Sequence, residues 1–88
     1  MDVKEAIALA KTYVREIFSD EKIVDLGLEE VEFRPYGNVW RITLGFARPS
    51  DQVAGLLSRA REDRIYKTVE IEDGTKVVRS VKNRDVTT

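Results

Sequence analysis

The sequence predicts an α+β fold, in which an N-terminal helix packs on a four-stranded antiparallel sheet made of two consecutive hairpins. Three observations predict it. The chain begins with a helical apolar stripe, a pair of alternating segments joined by turn residues follows, and a second such pair comes after it. Apolar residues that recur every three or four positions indicate a helix, whereas alternation indicates a half-buried strand. A chain of 88 residues has room for one core, so one domain is expected.

The first element is a helix that begins near Asp2 and ends near Asp20. Its apolar residues step by four, three, four and three positions, and therefore share one stripe: Val3, Ile7, Ala10, Val14 and Ile17. Asp2 can cap the first turn, and Glu5 lies three residues later, as in a capping box with Asp in the Ser/Thr position. We expect this helix to bury one face against the sheet.

The first hairpin is predicted to begin near Leu28 and to turn at residues 35–38, whose sequence Pro-Tyr-Gly-Asn is typical of a turn. Val31 and Phe33 alternate with charged residues in its first strand. The second strand alternates more strictly, and its large apolar residues are expected to point toward the helix: Trp40, Ile42, Leu44 and Phe46. The residues between them then point to the opposite face of the sheet.

The second half of the chain predicts another hairpin. Residues 50–61 are compatible with a short second helix, although Gly55 within it costs about 1 kcal/mol relative to Ala. Asp73-Gly74 predicts a two-residue turn between an alternating strand and a return strand over residues 76–82. The core face of that return strand stays unassigned, because its valines fall on both faces. Residues 83–88 are predicted to be a flexible tail, so the domain is expected to span residues 1–82.

The chain resembles the cystatin-like and PepSY-like small domains, in which a long helix lies against an antiparallel sheet of consecutive hairpins. Three segments carry the resemblance: the helix Val3–Phe18, the strand Trp40–Leu44, and Tyr66–Val78 with its tyrosine, alternating strand and acidic-glycine turn. The resemblance implies a role as an inhibitor or a binding module. PepSY-like units are usually exported or membrane-linked, whereas residues 1–5 here lead directly into a charged, periodic segment without the apolar region of a signal peptide. We therefore expect a cytoplasmic protein without a membrane-spanning segment.

The composition excludes most catalytic templates. The chain has no histidine and no cysteine, which rules out a Ser-His-Asp relay, a thiolate nucleophile and zinc sites built from those residues. We therefore predict a protein that is not an enzyme and needs no cofactor. A carboxylate-only enzyme or a Mg²⁺ or Ca²⁺ site remains an alternative, since Glu70 and Glu72 share a strand face about 6 to 7 Å apart.

The charge distribution points to a partner. The net charge is −1, yet residues 1–32 hold four basic and nine acidic side chains, whereas residues 33–61 hold five basic and one acidic. Such polarity concerns partners rather than fold. We predict that a protein partner binds the exposed, basic sheet face and the connection between the hairpins. The predicted partner-binding residues are Arg34, Arg41, Thr43, Arg59, Arg61, Arg64 and Tyr66.

Two further hypotheses use the same scaffold. A homodimer could form through the edges of a small open sheet, because edge strands carry unpaired backbone groups. Nucleic acid is a rival ligand for the basic surface, since phosphate contacts need mainly positive charge. The overall acidity, with a pI of about 5.5, argues against nucleic acid.

Overall fold

One helix lies on one face of a four-stranded antiparallel sheet, as a computed structural model shows for residues 1–48 and 64–84. The elements are α1 (Val3–Ile17), β1 (Val24–Arg34), β2 (Val39–Ala47), β3 (Ile65–Glu72) and β4 (Val78–Asn83). The strands lie in the order β1-β2-β3-β4, and each neighbouring pair is antiparallel. The predicted fold class and the four-stranded sheet are therefore confirmed. The short second helix predicted at residues 50–61 lies outside the described residues.

The helix α1 begins as its sequence predicts. The Asp2 carboxylate accepts a hydrogen bond from the backbone N–H of Glu5 at 2.8 Å, which satisfies one free donor of the first turn. The Glu5 carboxylate does not complete the capping box; it lies 2.6 Å from Nζ of Lys76, and this contact raises the pKa of Lys76. The cap therefore fixes where the helix begins, while Glu5 joins the helix to the β3–β4 loop.

The core lies between α1 and the centre of the sheet. Small residues on the helix face the sheet, and Ala6, Ala10 and Val14 are fully buried. Apart from Val14, the largest fully buried side chains come from the two central strands: Ile42, Leu44, Phe46, Val69 and Ile71. Because the helix presents alanines where the strands present large side chains, the two layers fit closely.

The ends of the predicted apolar stripe are less buried than its centre. Val3 and Ile17 are 40% and 44% exposed, because they lie in the first and last turns of α1. Phe18, the residue after the helix, packs against Phe46 with ring centroids 5.4 Å apart. The helix is therefore held at its middle by alanines and at its end by an aromatic contact.

Strand β1 begins four residues earlier than predicted, at Val24 rather than Leu28. Its pairing with β2 contains two register shifts, one between Val24 and Gly27 and one between Leu28 and Glu30. Asp25 has a φ of 59°, in the left-handed region. Each shift inserts an irregularity that breaks the alternation of side chains, so the sequence pattern reveals only the regular half of the strand.

The β3–β4 loop is longer than the predicted two-residue turn. Glu72 and Val77 form the last backbone pair, through a 2.9 Å hydrogen bond, so residues 73–76 make the loop. Lys76, not Gly74, has a positive φ, at 62°. The Asp73 carboxylate accepts hydrogen bonds from outside the loop, and the left-handed residue lies three positions later, at Lys76. The return strand accordingly begins at Val78 instead of Lys76.

A register shift in β4 settles the face that the alternation left open. Val81 pairs with Val69 and Val78 pairs with Ile71, with a shift between Glu70 and Ile71 on the partner strand. Both valines therefore lie on the side of α1. Strand β4 continues to Asn83, whose side-chain oxygen accepts a hydrogen bond from Lys67, so the predicted tail does not begin at residue 83. Residues 85–88 lie outside the described residues.

The Asp73 carboxylate connects three parts of the fold. Its Oδ1 atom accepts a hydrogen bond from the indole Nε1 of Trp40 at 2.9 Å and another from the amino group of Met1 at 3.2 Å. These two hydrogen bonds lower the pKa of Asp73, and the bond from the indole has the larger effect. The Trp40 ring also packs on Phe33, with centroids 4.9 Å apart. Trp40 is therefore a partly buried core residue with a satisfied N–H group.

Candidate functional site

The candidate site is the sheet face that points away from α1, which we call the open face. Because Ile42, Leu44 and Phe46 point toward the helix, the alternating residues of β2 point to the open face, and the register places their neighbours beside them. In the part of the chain that the structure describes, no second layer covers this face. Its residues are Glu29, Glu30, Glu32, Arg34, Val39, Arg41, Thr43, Gly45, Arg64, Tyr66, Thr68, Glu70, Glu72, Ser80, Lys82 and Arg84.

Arg41 lies at the centre of the open face, between two carboxylates. Glu32 is its register partner on β1 and Glu70 is its partner on β3. Nε of Arg41 is 3.2 Å from Oε2 of Glu70, yet the angle is not that of a hydrogen bond, and this buried nitrogen has no hydrogen-bond partner. The side chain remains 28% exposed. Arg41 is thus an ion-paired arginine whose partly exposed side chain lies at the centre of the face.

Next to Arg41, the floor of the open face is a pair of threonines. Thr43 and Thr68 are register partners, and their hydroxyl oxygens are 3.1 Å apart in a hydrogen bond. They are only 5% and 7% exposed, because both central strands have neighbours on each side. Each hydroxyl therefore depends on the other for a partner.

We expect this hydroxyl pair to be strongly coupled. Thr43→Val alone should lower the free energy of unfolding by about 1 kcal/mol, because it leaves the Thr68 hydroxyl buried without its partner. Thr68→Val should act in the same way, whereas the double Val variant should cost little more than either single one. Urea unfolding of the four proteins checks this. Additive losses would contradict the bond, because independent side chains give additive effects.

At one end of the open face, a glycine makes room for larger side chains. Gly45 lies beside Tyr66 in the register, and a Cβ built on it would be 2.9 Å from the tyrosine ring and 2.9 Å from the Arg64 guanidinium. Arg64 Nη2 donates a hydrogen bond to the backbone oxygen of Asp25 at 3.0 Å and lies 3.9 Å from the Glu29 carboxylate. Gly45 therefore lets Tyr66 and Arg64 lie flat over the strand.

The two sides of the open face carry opposite charges. We call the carboxylates of Glu29, Glu30 and Glu32 on β1 the acidic wall, and the cations of Lys82 and Arg84 on the β4 side the basic wall. The Arg84 guanidinium lies over the Tyr66 ring, 4.0 Å from its centroid, as in a cation–π contact. The walls are three strand spacings apart, which is about 14 Å.

The floor between the walls is concave. One depression has a volume of about 240 Å³, and its lining residues come from all four strands or their ends: Glu30, Glu32, Arg41, Thr43, Thr68 and Arg84. A second depression of about 200 Å³ adjoins it toward β4 and shares Arg41 and Thr68 with the first. The open face is therefore a shallow polar groove with one acidic and one basic side.

Five of the predicted partner-binding residues come together on the open face: Arg34, Arg41, Thr43, Arg64 and Tyr66. Arg59 and Arg61 lie outside the described residues. Two features of the prediction need correction. Thr43 is buried rather than exposed, and the described part of the face is not basic, because carboxylates alternate with the arginines. The alternation of Glu30 and Glu32 with Val31 was the sequence signal that these carboxylates belong to the same face.

The predicted carboxylate pair on β3 is engaged with cations. Glu70 lies beside Arg41, and the Glu72 carboxylate is 3.7 Å from Nε of Arg79 and accepts a hydrogen bond from the Thr75 hydroxyl at 2.9 Å. The neighbouring cations thus balance the negative charges of both carboxylates, which the hypothesis of a metal site required for binding the ion. Among residues 1–48 and 64–84, no three acidic side chains are grouped so that they could hold a metal ion.

Comparisons with known proteins give no match for this chain, whether against family models, curated proteins or solved structures. The described helix α1 is neither long nor apolar enough to cross a membrane.

Proposed function

We propose that this chain is a small protein-interaction domain that binds a protein partner through its open face. The observation that carries the proposal is the groove itself, in which hydroxyls and Arg41 lie between an acidic and a basic wall. Polar complementarity of this kind gives specificity and steers association more than it gives affinity. The partner that fits is a protein surface with both signs of charge, arranged in the opposite order. The predicted resemblance to cystatin-like and PepSY-like binding modules agrees with such a role.

Arginine supports the proposal at two places on the face. Arg41 is partly exposed at the centre, where its Nε lies 3.2 Å from the Glu70 carboxylate. Arg34 is 52% exposed at the side, where its Nε lies 3.6 Å from the Glu32 carboxylate. A planar guanidinium can bind a carboxylate through two parallel hydrogen bonds, which a lysine cannot do. Both arginines can therefore recognise acidic groups of a protein partner.

The acidic wall argues against the nucleic-acid hypothesis. Glu29, Glu30 and Glu32 lie along the same groove as the cations, so a phosphate backbone that approached the basic wall would also meet these carboxylates. Like charges that are brought together oppose binding. A nuclease digestion before capture separates the two ligands, because a nucleic-acid partner would be lost and a protein partner would not.

Features of both sheet edges oppose the hypothesis of a homodimer through strand pairing. The exposed edge of β1 has two register shifts and a run of acidic residues, and β4 has one register shift beside Arg79. Bulges and charges on an edge strand hinder the addition of another strand. The face of the sheet is thus a better candidate surface than its edges.

The proposal is tested by capture from the lysate of the source organism with three proteins: the parent, an open-face variant and a matched control. The open-face variant is Arg34→Glu with Arg84→Glu. The control also reverses two positive charges, but on the exposed side of α1, as Lys4→Glu with Arg15→Glu. We expect the parent and the control to capture the same proteins and the open-face variant to lose them. If the open-face variant keeps the parent's partners and melts at the same temperature, the proposal is wrong.

A further inference from the structure

We infer that the open face binds a second copy of this chain, face to face, about a two-fold axis parallel to the strands. The inference rests on the proposed function, because it names the occupant of the same face. It follows from the order of charges across the sheet. A rotation about this axis places β1 of one copy over β4 of the other, and β2 over β3. The acidic wall of each copy then meets the basic wall of its mate.

We call the residues that lie side by side across the four strands a row. The row that contains the threonines is complementary to itself under this rotation. From β1 to β4 the row reads Glu30, Thr43, Thr68 and Lys82. When a second copy is laid over it in reverse order, Glu30 meets Lys82 and Thr43 meets Thr68. Opposite charges face each other at both ends, and hydroxyls, which both donate and accept, face each other in the middle.

The two neighbouring rows match in the same way. In one row, Arg41 of one copy faces Glu70 of the other, since these residues lie on β2 and β3. In the other row, Tyr66 and Arg64 fill the space over Gly45 of their own chain, so this row contributes through its ends. The walls at the ends of that row are Glu29 and Arg84. Opposite charges therefore face each other in three adjacent rows.

The row nearest the 35–38 turn does not match. There Arg34 on β1 approaches the β4 side near Arg79 of the other copy. Each arginine is already close to a carboxylate of its own chain, Arg34 to Glu32 at 3.6 Å and Arg79 to Glu72 at 3.7 Å. These ion pairs reduce the repulsion, and sheets that pack with a crossing of about 30° separate the corners of the interface. We expect the other three rows to carry the contact.

The charge order also selects this axis over the other face-to-face arrangement. A two-fold axis perpendicular to the strands, in the plane between the sheets, would place each strand over its own copy. The acidic wall with Glu30 and Glu32 would then face an identical acidic wall, which opposes association. A parallel-axis dimer is thus the arrangement in which this face complements itself.

The size of the face predicts weak association. Four strands spaced about 4.8 Å apart, each contributing about six residues of 3.3 Å, give a face of about 400 Å². Two such faces lie at the small end of specific interfaces, which places the complex among transient ones. Because the contacts at the ends of the rows are exposed ion pairs, the association should also weaken as salt is added.

The test reverses the two walls separately and together. The acidic-wall variant is Glu30→Lys with Glu32→Lys, the basic-wall variant is Lys82→Glu with Arg84→Glu, and a third protein carries all four substitutions. Sedimentation equilibrium at low salt and near-millimolar protein measures self-association. We expect the parent to dimerise and each single-wall variant to associate about tenfold or more weakly, because like-charged walls then face each other. The protein with both walls reversed should dimerise again.

Mixing the two single-wall variants provides the decisive measurement. One variant has two basic walls and the other has two acidic walls, so an equimolar mixture should form a one-to-one complex although neither associates alone. This complex also shows that both variants are folded. A monomeric parent, single-wall variants that dimerise as the parent does, or a mixture without a complex would each overturn the inference. If the parent is monomeric but the open-face variant still loses captured proteins, the proposed function stands and only the second copy is excluded.

Discussion

Phe46→Ala is expected to lower the free energy of unfolding by about 3–5 kcal/mol, the usual cost of removing a buried phenylalanine. Phe46 is fully buried on the central strand β2, and its ring packs 5.4 Å from that of Phe18. Phe46 belongs to the same core cluster as Ala6, Ala10 and Val14 of α1, so its removal leaves a cavity between the helix and the sheet. Since small domains are stable by only about 5–15 kcal/mol, this single substitution should remove much of the total.

Urea unfolding followed by circular dichroism measures this loss. Tyr36→Ala is the matched control, because it also removes an aromatic ring, but from a side chain that is 96% exposed in the β1–β2 turn. The control should change the free energy of unfolding by no more than about 0.5 kcal/mol. Equal losses for Phe46→Ala and Tyr36→Ala would show that Phe46 is not in the core.

Gly45→Val is expected to cost about 2–3 kcal/mol, near the upper part of the range for overpacking. A Cβ at this position would lie 2.9 Å from a ring carbon of Tyr66, 2.9 Å from Nη2 of Arg64 and 3.1 Å from Oε2 of Glu29. The ends of Arg64 and Glu29 can move aside, but the tyrosine ring lies across the strand and is held by Arg84. The branched side chain therefore displaces Tyr66 from the open face.

Gly27→Val supplies the control on the neighbouring strand. Gly27 is the register partner of Gly45 and has nothing within 4 Å of an ideal Cβ, so a valine should be accepted there within about 0.5 kcal/mol. Adding Tyr66→Ala to Gly45→Val should recover part of the loss, because the ring that clashes is gone. Thermal melting of the three variants checks both statements. A Gly45→Val protein as stable as Gly27→Val would contradict the close packing of Tyr66.

The regular parts of the fold could be predicted from the sequence because one physical pattern controls each of them. The stripe from Val3 to Ile17 predicts α1, and strict alternation over residues 40–46 predicts β2. Irregular backbone could not be predicted in this way. The early start of β1 at Val24 depends on two register shifts, and each shift interrupts the alternation of side chains from which a strand is predicted.

The two valines of β4 show the same limit more directly. Val78 and Val81 are three residues apart, so a regular strand would place them on opposite faces. The shift opposite Glu70 and Ile71 brings both to the side of the helix. The backbone irregularity thus places both valines on the core side. The sequence alternation alone is ambiguous at this point, and the strand register is needed to assign the core face.

The sequence was sufficient to predict which face of the sheet carries Arg41 and Thr43, but not the charge of that face. Alternation from Trp40 correctly placed Arg41 and Thr43 on the face opposite the helix. Counting charges along residues 33–61 made that face basic, because the count followed the chain instead of the sheet. The carboxylates beside Arg41 come from β1 and β3, which lie in other parts of the sequence. The strand order was needed to find them.

The strand order β1-β2-β3-β4 has a consequence for how the protein folds. Every strand pairs with its neighbours in the sequence, so no pairing has to wait for a distant segment. The β1–β2 and β3–β4 hairpins close short turns, at residues 35–38 and 73–76, which costs little chain entropy. The joining of β2 to β3 must close a longer span of chain. Folds that are rich in local contacts cross low kinetic barriers, so we expect two hairpins to form early and the union of the central strands to set the rate.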